Sequence, residues 1–201
     1  CGSGNFLTET YLSLRRLENE VLKELIGAQI TLGELNNPIK VSIRQFYGIE
    51  INDFAVTVAK TALWIAESQM MAETVEIVHR DLDFLPLKTY TNIEEGNALQ
   101  IDWYKVAPQI DYIMGNPPFV GYKLQTELQK QDLRPLLGEV KNIDYVAGWY
   151  YKAAEYMKNT NIKAAFVSTN SICQGEQVMA IWKRLINENG IHIDFCYRTF
   201  Q

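Results

Sequence analysis

The 201-residue sequence has few cysteines, three in all, and Cys1, Cys173 and Cys196 show no paired spacing. An odd, scattered set excludes a disulfide framework and a zinc site, so no metal is expected and a reducing, cytoplasmic setting is. No apolar run approaches the roughly 20 residues that span a bilayer, and nothing resembles a secretory leader, so no membrane partner is expected. Internal repeats and low-complexity tracts are also lacking. So is an excess of basic charge: the formal net charge is −5, which argues against a surface built only to grip DNA phosphates. Any such grip has to be concentrated on one face or supplied by another domain.

What is present is an ordinary globular composition, 47% hydrophobic and 21% charged, long enough for residues 1–201 to form one domain or a large part of one. The chain opens on Cys1 rather than Met, so it reads as processed or as a fragment. A lipidated N-terminal cysteine is disfavoured because no flexible tether separates Cys1 from the helical pattern that starts at Asn5.

From Asn5 to about Ile30 the residues Phe6, Leu7, Tyr11, Leu14, Leu17, Val21, Leu22 and Leu25 recur at helical spacing, with Gly33 and Asn36–Asn37–Pro38 as the stop. Phe46–Ile51 reads as a buried parallel strand. Asn52 and Asp53 can cap the next helix, with Phe54, Val58, Ala62, Ile65 and Ala66 inward and an end near Glu73. An irregular stretch containing Pro86 follows, then strands at Ile93–Gly96 and Asp111–Met114, and a mobile loop over 120–141. Helices over 143–158 and 174–188 and strands over 163–169 and 191–197 complete the pattern. Alternating strands and helices predict an α/β fold with a mostly parallel sheet, whose ligands bind beyond the carboxyl ends of the strands.

Chemically suggestive residues fall at those ends. Cys1–Gly2–Ser3–Gly4–Asn5–Phe6 is a G-x-G turn opening a helix, where unpaired N–H groups and free backbone approach suit a ligand. Glu50, at a strand end, can accept from both hydroxyls of a ribose. Asn97, in Glu95–Gly96–Asn97–Ala98–Leu99, can meet the exocyclic amine of an adenine ring. The sharpest signal is Asn116–Pro117–Pro118–Phe119. Two prolines remove two donors and stiffen the turn, so an Asn amide oxygen and a Pro carbonyl can converge on one –NH2. An amine held by two acceptors loses conjugation and frees its lone pair for attack on a methyl donor, without a strong base. Phe119 adds a ring on which a planar base can stack.

On these motifs the sequence resembles the amino-methylating DNA methyltransferases. CGSGNF is similar to their cofactor loop, FYGIEI to the ribose-binding strand, GNALQIDW to the adenine-contact motif and DYIMGNPPF to the catalytic motif. DYVAGWYYKAAEYM, FVSTNSICQGEQV and IDFCYRTFQ resemble the downstream segments, closest to the methylase region of MmeI-type restriction–modification enzymes. The resemblance covers essentially all 201 residues, in the family's order. It implies a Rossmann-like methyltransferase sheet, S-adenosylmethionine as cofactor, double-stranded DNA as partner, methylation of adenine N6 on a flipped-out base, and a bacterial or archaeal cytoplasm. Carried over by position, Gly2, Gly4 and Phe6 line the methionine end of the cofactor, Glu50 binds its ribose, Ile51 packs on its adenine, Asn97 contacts the adenine amine, and Cys1 and Ala98 also belong to the cofactor-binding set. Asn116 and the Pro117 carbonyl hold the target amine, Phe119 stacks on the target base, and Phe200 matches an aromatic on its other side.

Two departures stand out: Phe119 replaces a common tyrosine and Asn97 a common aspartate. The resemblance also implies that the family's first strand, the strand after Phe200, the target recognition domain and the nuclease are not in this chain. The vacancy beside the Phe46–Ile51 and Asp111–Met114 strands is then filled by closure of its flanks, by water or by strand exchange with a second copy, and the isolated chain is expected to be inactive. A protein glutamine-N5 methyltransferase, which also uses Asn-Pro-Pro, and a non-catalytic assembly module are the competing readings.

Overall fold

The structure is a computed structural model of residues 1–201, described here over residues 1–27, 38–79, 92–138 and 142–197. It divides into two compact units, Cys1–Asn97 and Ala98–Gln201.

In the first unit, helix α1 (Asn5–Gly27) leads to strand β1 (Tyr47–Glu50), helix α2 (Asp53–Val78) and strand β2 (Asn92–Glu95). The strands pair in parallel with Gly48 opposite Ile93 and Glu50 opposite Glu95. Asn52 caps α2, its side-chain oxygen accepting from the Ala55 amide at 2.9 Å. The helix runs past Glu73 to Val78 and ends on His79 in the left-handed region, φ 49°. The expected inner face is rotated: Val56, Ala59, Leu63, Ala66 and Met70 are buried, while Phe54 and Ile65 are exposed. Apolar residues on nearly every side of this helix leave its orientation to the partner surface rather than to periodicity. The stretch around Pro86 and the Gly33–Asn37 stop lie outside the described residues.

The face of α1 also differs from a plain apolar stripe. Tyr11 and Leu22 are buried, but Phe6, Leu14, Leu17 and Val21 are exposed and Arg15 and Asn19 are buried instead. Arg15 pairs with Glu18 and donates to Thr74 Oγ1 of α2 at 2.6 Å; Thr74 donates to Asn19 Oδ1 at 2.7 Å. Glu18 also accepts from the main-chain nitrogens of Lys40 and Val41. A charged group taken from water persists only with such partners.

The second unit holds the short helix α3 (Trp103–Val106), strand β3 (Tyr112–Gly115), helix α4 (Glu127–Leu137), helix α5 (Ala147–Met157), strand β4 (Lys163–Phe166) and helix α6 (Glu176–Lys183). β3 and β4 pair in parallel, Gly115 opposite Phe166. Their inner side packs on α5 through Ile113, Ala153 and Tyr156. A second cluster gathers Leu133 and Leu137 of α4, Val146 to Tyr151 around α5, and Ile181 and Leu185.

Two expectations are corrected here. The 120–141 segment is not a mobile loop over its described part: a 3₁₀ turn at Tyr122–Leu124 precedes α4. The helix starts in a capping box, Gln129 N to Thr126 Oγ1 at 3.2 Å and Thr126 N to Gln129 Oε1 at 3.0 Å, and it buries Leu133 and Leu137. Pro135 sits in its last turn before Gly138 at φ 72°, where a missing donor costs least. Residues 191–197 form no strand, because no ladder partner hydrogen-bonds to them among the described residues. Ile193, Phe195 and Tyr197 stand exposed, and Lys163 Nζ holds Asp194 at 2.8 Å. The helix expected over 143–158 begins at Ala147 after a turn, and the one over 174–188 is α6 continued by a π turn, Arg184–Glu188. No helix among the described residues is long and apolar enough to cross a membrane.

Candidate functional site

Site residues of the first unit collect where β1 ends. Gly2 (φ 59°) and Gly4 (φ 85°) turn the chain into α1. Only glycine is free at Gly4, since a Cβ there would stand 2.9 Å from Ala59 Cβ. At Gly2 nothing lies within 4 Å of the same position, so this face of the turn is open. The turn is tied to the strand by Glu50. Its Oε2 accepts from Gly2 N at 2.6 Å and from the Cys1 nitrogen at 3.1 Å; its Oε1 accepts from Ile51 N at 3.0 Å and Asn52 N at 3.2 Å. The Cys1 nitrogen also reaches Ile49 O at 2.6 Å. Burial pushes the Glu50 carboxyl up, whereas the hydrogen bonds from the Gly2 and Asn52 amides draw it below its ordinary value.

Ile51, next in sequence to Glu50, is 68% exposed, and Phe6, in the first turn of α1, is 43% exposed. Asn97 follows β2, and the Gly96 amide donates to Glu50 O at 2.8 Å, so the turn carrying Asn97 is pinned to the same strand end. An open glycine turn, a carboxylate and uncovered apolar side chains fit a nucleoside with a charged tail. A ribose diol reaching Glu50 exchanges with part of its main-chain donor set, because each oxygen already accepts two.

In the second unit, Ala98 O accepts from the Trp103 indole at 2.8 Å. Asn116–Pro117–Pro118–Phe119 leaves β3 directly: Val167 N donates to Gly115 O at 3.0 Å, the last rung before the turn. Pro117 is buried, whereas Asn116 and Phe119 are exposed, Phe119 by 49%. No other ring stacks on Phe119 among the described residues. The turn thus has a buried anchor with an amide and an aromatic face left uncovered. Phe200 lies outside the described residues.

Beside the turn the structure places polar residues that sequence reasoning missed. Gln125 Nε2 donates to Val120 O at 3.3 Å and Ile143 O at 2.8 Å, and Tyr145 N donates to Val120 O at 2.9 Å. Ser171 Oγ links Asp144 Oδ2 and Thr169 Oγ1, each at 2.5 Å. The Thr126-x-x-Gln129 box signals the helix but not the Gln125 clamp. An open depression of about 690 Å³ lies between Gly121–Leu124 and Asn142, Asp144 and Glu176. It is not lined by Asn116, and its two carboxylates do not suit a phosphate.

The chain is similar over its whole length to known proteins. A "DNA methyltransferase A" of Bacillus subtilis (strain 168) is 46% identical over 209 residues, covering 100% of this chain and 23% of that protein. A solved structure of the Type IIL restriction–modification enzyme MmeI in complex with DNA superposes with a TM-score of 0.84 at 44% identity, over 93% of this chain and 26% of the solved one. The chain therefore spans about a quarter of the length of these relatives. Residues 1–201 match throughout the family described as "MmeI, DNA-methyltransferase domain", and the chain belongs to that family.

Proposed function

We propose that residues 1–201 are the catalytic domain of a site-specific DNA methyltransferase of a restriction–modification system. It moves a methyl group from S-adenosylmethionine to the N6 amine of an adenine turned out of double-stranded DNA. The observation that carries this reading is Asn116–Pro117–Pro118–Phe119 directly after β3, with Pro117 buried and Asn116 and Phe119 uncovered.

In the first unit, Gly2 and Gly4 form the turn that receives the methionine end, with Phe6 beside it, Glu50 takes the ribose, and Cys1 and, in the second unit, Ala98 complete the cofactor-binding set. Ile51, 68% exposed, packs on the adenine ring, and Asn97 contacts its exocyclic amine. S-adenosylmethionine supplies the electrophilic methyl group. In the second unit, Asn116 Oδ1 and the Pro117 carbonyl accept the two N–H bonds of the target amine. That turns the nitrogen lone pair out of conjugation, and these bonds strengthen as positive charge develops on nitrogen. Water takes the proton that the methylated amine releases. Phe119 stacks on the base, which compensates part of the unstacking cost, and Phe200 completes the sandwich. The fold class implied is the Rossmann-like methyltransferase sheet, and the setting is a prokaryotic cytoplasm.

Mass spectrometry of nucleosides from DNA treated with the full-length enzyme tests this reading. N6-methyladenine at a defined site is expected. Methylation confined to glutamine side chains of a protein, or to cytosine, overturns it.

A further inference from the structure

Phe119 is half-exposed and no other ring stacks on it among the described residues, so the backbone to either side helps to set its placement. Before it, Pro117 is buried and Gly115 O is bonded by Val167 N. After it comes Val120, whose carbonyl accepts two donors: Tyr145 N at 2.9 Å and Gln125 Nε2 at 3.3 Å. The Gln125 amide also donates to Ile143 O at 2.8 Å, and its residue is only 6% exposed. It therefore bridges the segment leaving the turn and the segment entering α5 by its two N–H bonds. Both acceptors are carbonyls, which fixes the amide orientation, since a flipped amide would set oxygen against oxygen. Its Oε1 has no partner among the described residues. A buried acceptor left unpaired costs free energy, so the fold keeps this side chain for what its nitrogen does.

We propose that Gln125 is a positioning residue for base capture: by clamping Val120 to Ile143 it fixes the backbone that carries Phe119. This inference rests on the reading of Phe119 as the stacking residue. Leucine fills the same space without a donor. Glutamate places acceptors against two carbonyls until its carboxyl is protonated, when one O–H donor returns. Asparagine keeps the amide on a shorter stem and reaches one carbonyl only.

In the full-length enzyme, single-turnover methylation per S-adenosylmethionine-binding site is measured for Gln125→Leu, Gln125→Asn and Gln125→Glu, with 2-aminopurine at the target position reporting base extrusion. A loss of about tenfold or more is expected for Gln125→Leu, as misplacement of a substrate-holding group produces, with cofactor affinity near wild type and a weaker 2-aminopurine signal. Gln125→Asn is expected to fall between and remains informative if Gln125→Leu does not fold. Gln125→Glu is expected to recover rate relative to wild type as the pH falls; a residue that only stabilises the fold changes the folded fraction and not this ratio per binding site. Wild-type rates per site in Gln125→Leu or Gln125→Asn, or a Gln125→Glu profile parallel to wild type, overturn the proposal. Full activity in a Phe119→Ala control overturns the stacking reading instead, whereas an inactive Phe119→Ala beside an unaffected Gln125→Leu overturns only the positioning role.

Discussion

The main-chain amide of Gly2 donates to Oε2 of Glu50 across 2.6 Å, so the carboxylate at the end of β1 is the tie that closes the glycine turn. Its carboxyl is held below its ordinary value. The stability it contributes is therefore complete above its unfolded pKa and is lost as the pH falls through the folded one. Urea midpoints of wild type and Glu50→Gln, followed down in pH, are expected to converge on the acid side. Curves that stay parallel at every pH contradict the tie.

Gly4 and Gly2 both have positive φ, but only Gly4 faces Ala59, with a hypothetical Cβ 2.9 Å from its side chain. Gly4→Ala is expected to cost about 2 kcal/mol more than Gly2→Ala, because overpacking adds to backbone strain. Chemical denaturation of the two variants measures the difference. Equal costs show that the α2 contact is not binding.

Arg15 is fully buried between α1 and α2, with Glu18 and Thr74 as partners. Arg15→Met is expected to destabilise by about 3 kcal/mol, since it leaves a partly buried carboxylate without its cation. Adding Glu18→Gln should recover part of that loss. Additive costs in the double variant would place the effect in packing alone.

Asn116→Ala in the full-length enzyme is expected to abolish methylation while S-adenosylmethionine affinity, measured by calorimetry, stays within severalfold. Substantial turnover in this variant removes Asn116 from the amine-holding role.

Phe119→Tyr and Phe119→Trp are expected to keep most activity, whereas Phe119→Ala loses affinity for a mismatched or abasic-opposed target. Equal 2-aminopurine fluorescence for wild type and Phe119→Ala contradicts stacking.

Elements whose signals are local were legible without coordinates. The glycine turn, Glu50 at the strand end and Asn52 as helix cap are each written in a few adjacent residues, and each stands where expected. The 120–141 segment misled because its breakers spare the buried face of α4: Gly121 precedes the 3₁₀ turn ahead of the helix, Pro135 sits in its last turn and Gly138 caps its end. Residues 191–197 misled in the opposite way: the alternation of Ile191, Ile193, Phe195 and Tyr197 is strand-like, yet a strand exists only when a ladder partner is present.

The sequence by itself determined the order of the candidate motifs: glycine turn, acidic strand end, Asn97, then Asn116–Pro117–Pro118–Phe119, whose proposed roles as donors, acceptors and stacking ring depend on residue type and short spacing. Tertiary structure alone decided which faces are buried and what braces the site. Arg15 rather than Leu14 turns inward on α1, and Gln125 reaches Ile143 across 18 residues. Burial and long-range hydrogen bonds are settled by the surface a segment meets, and no local pattern contains that surface.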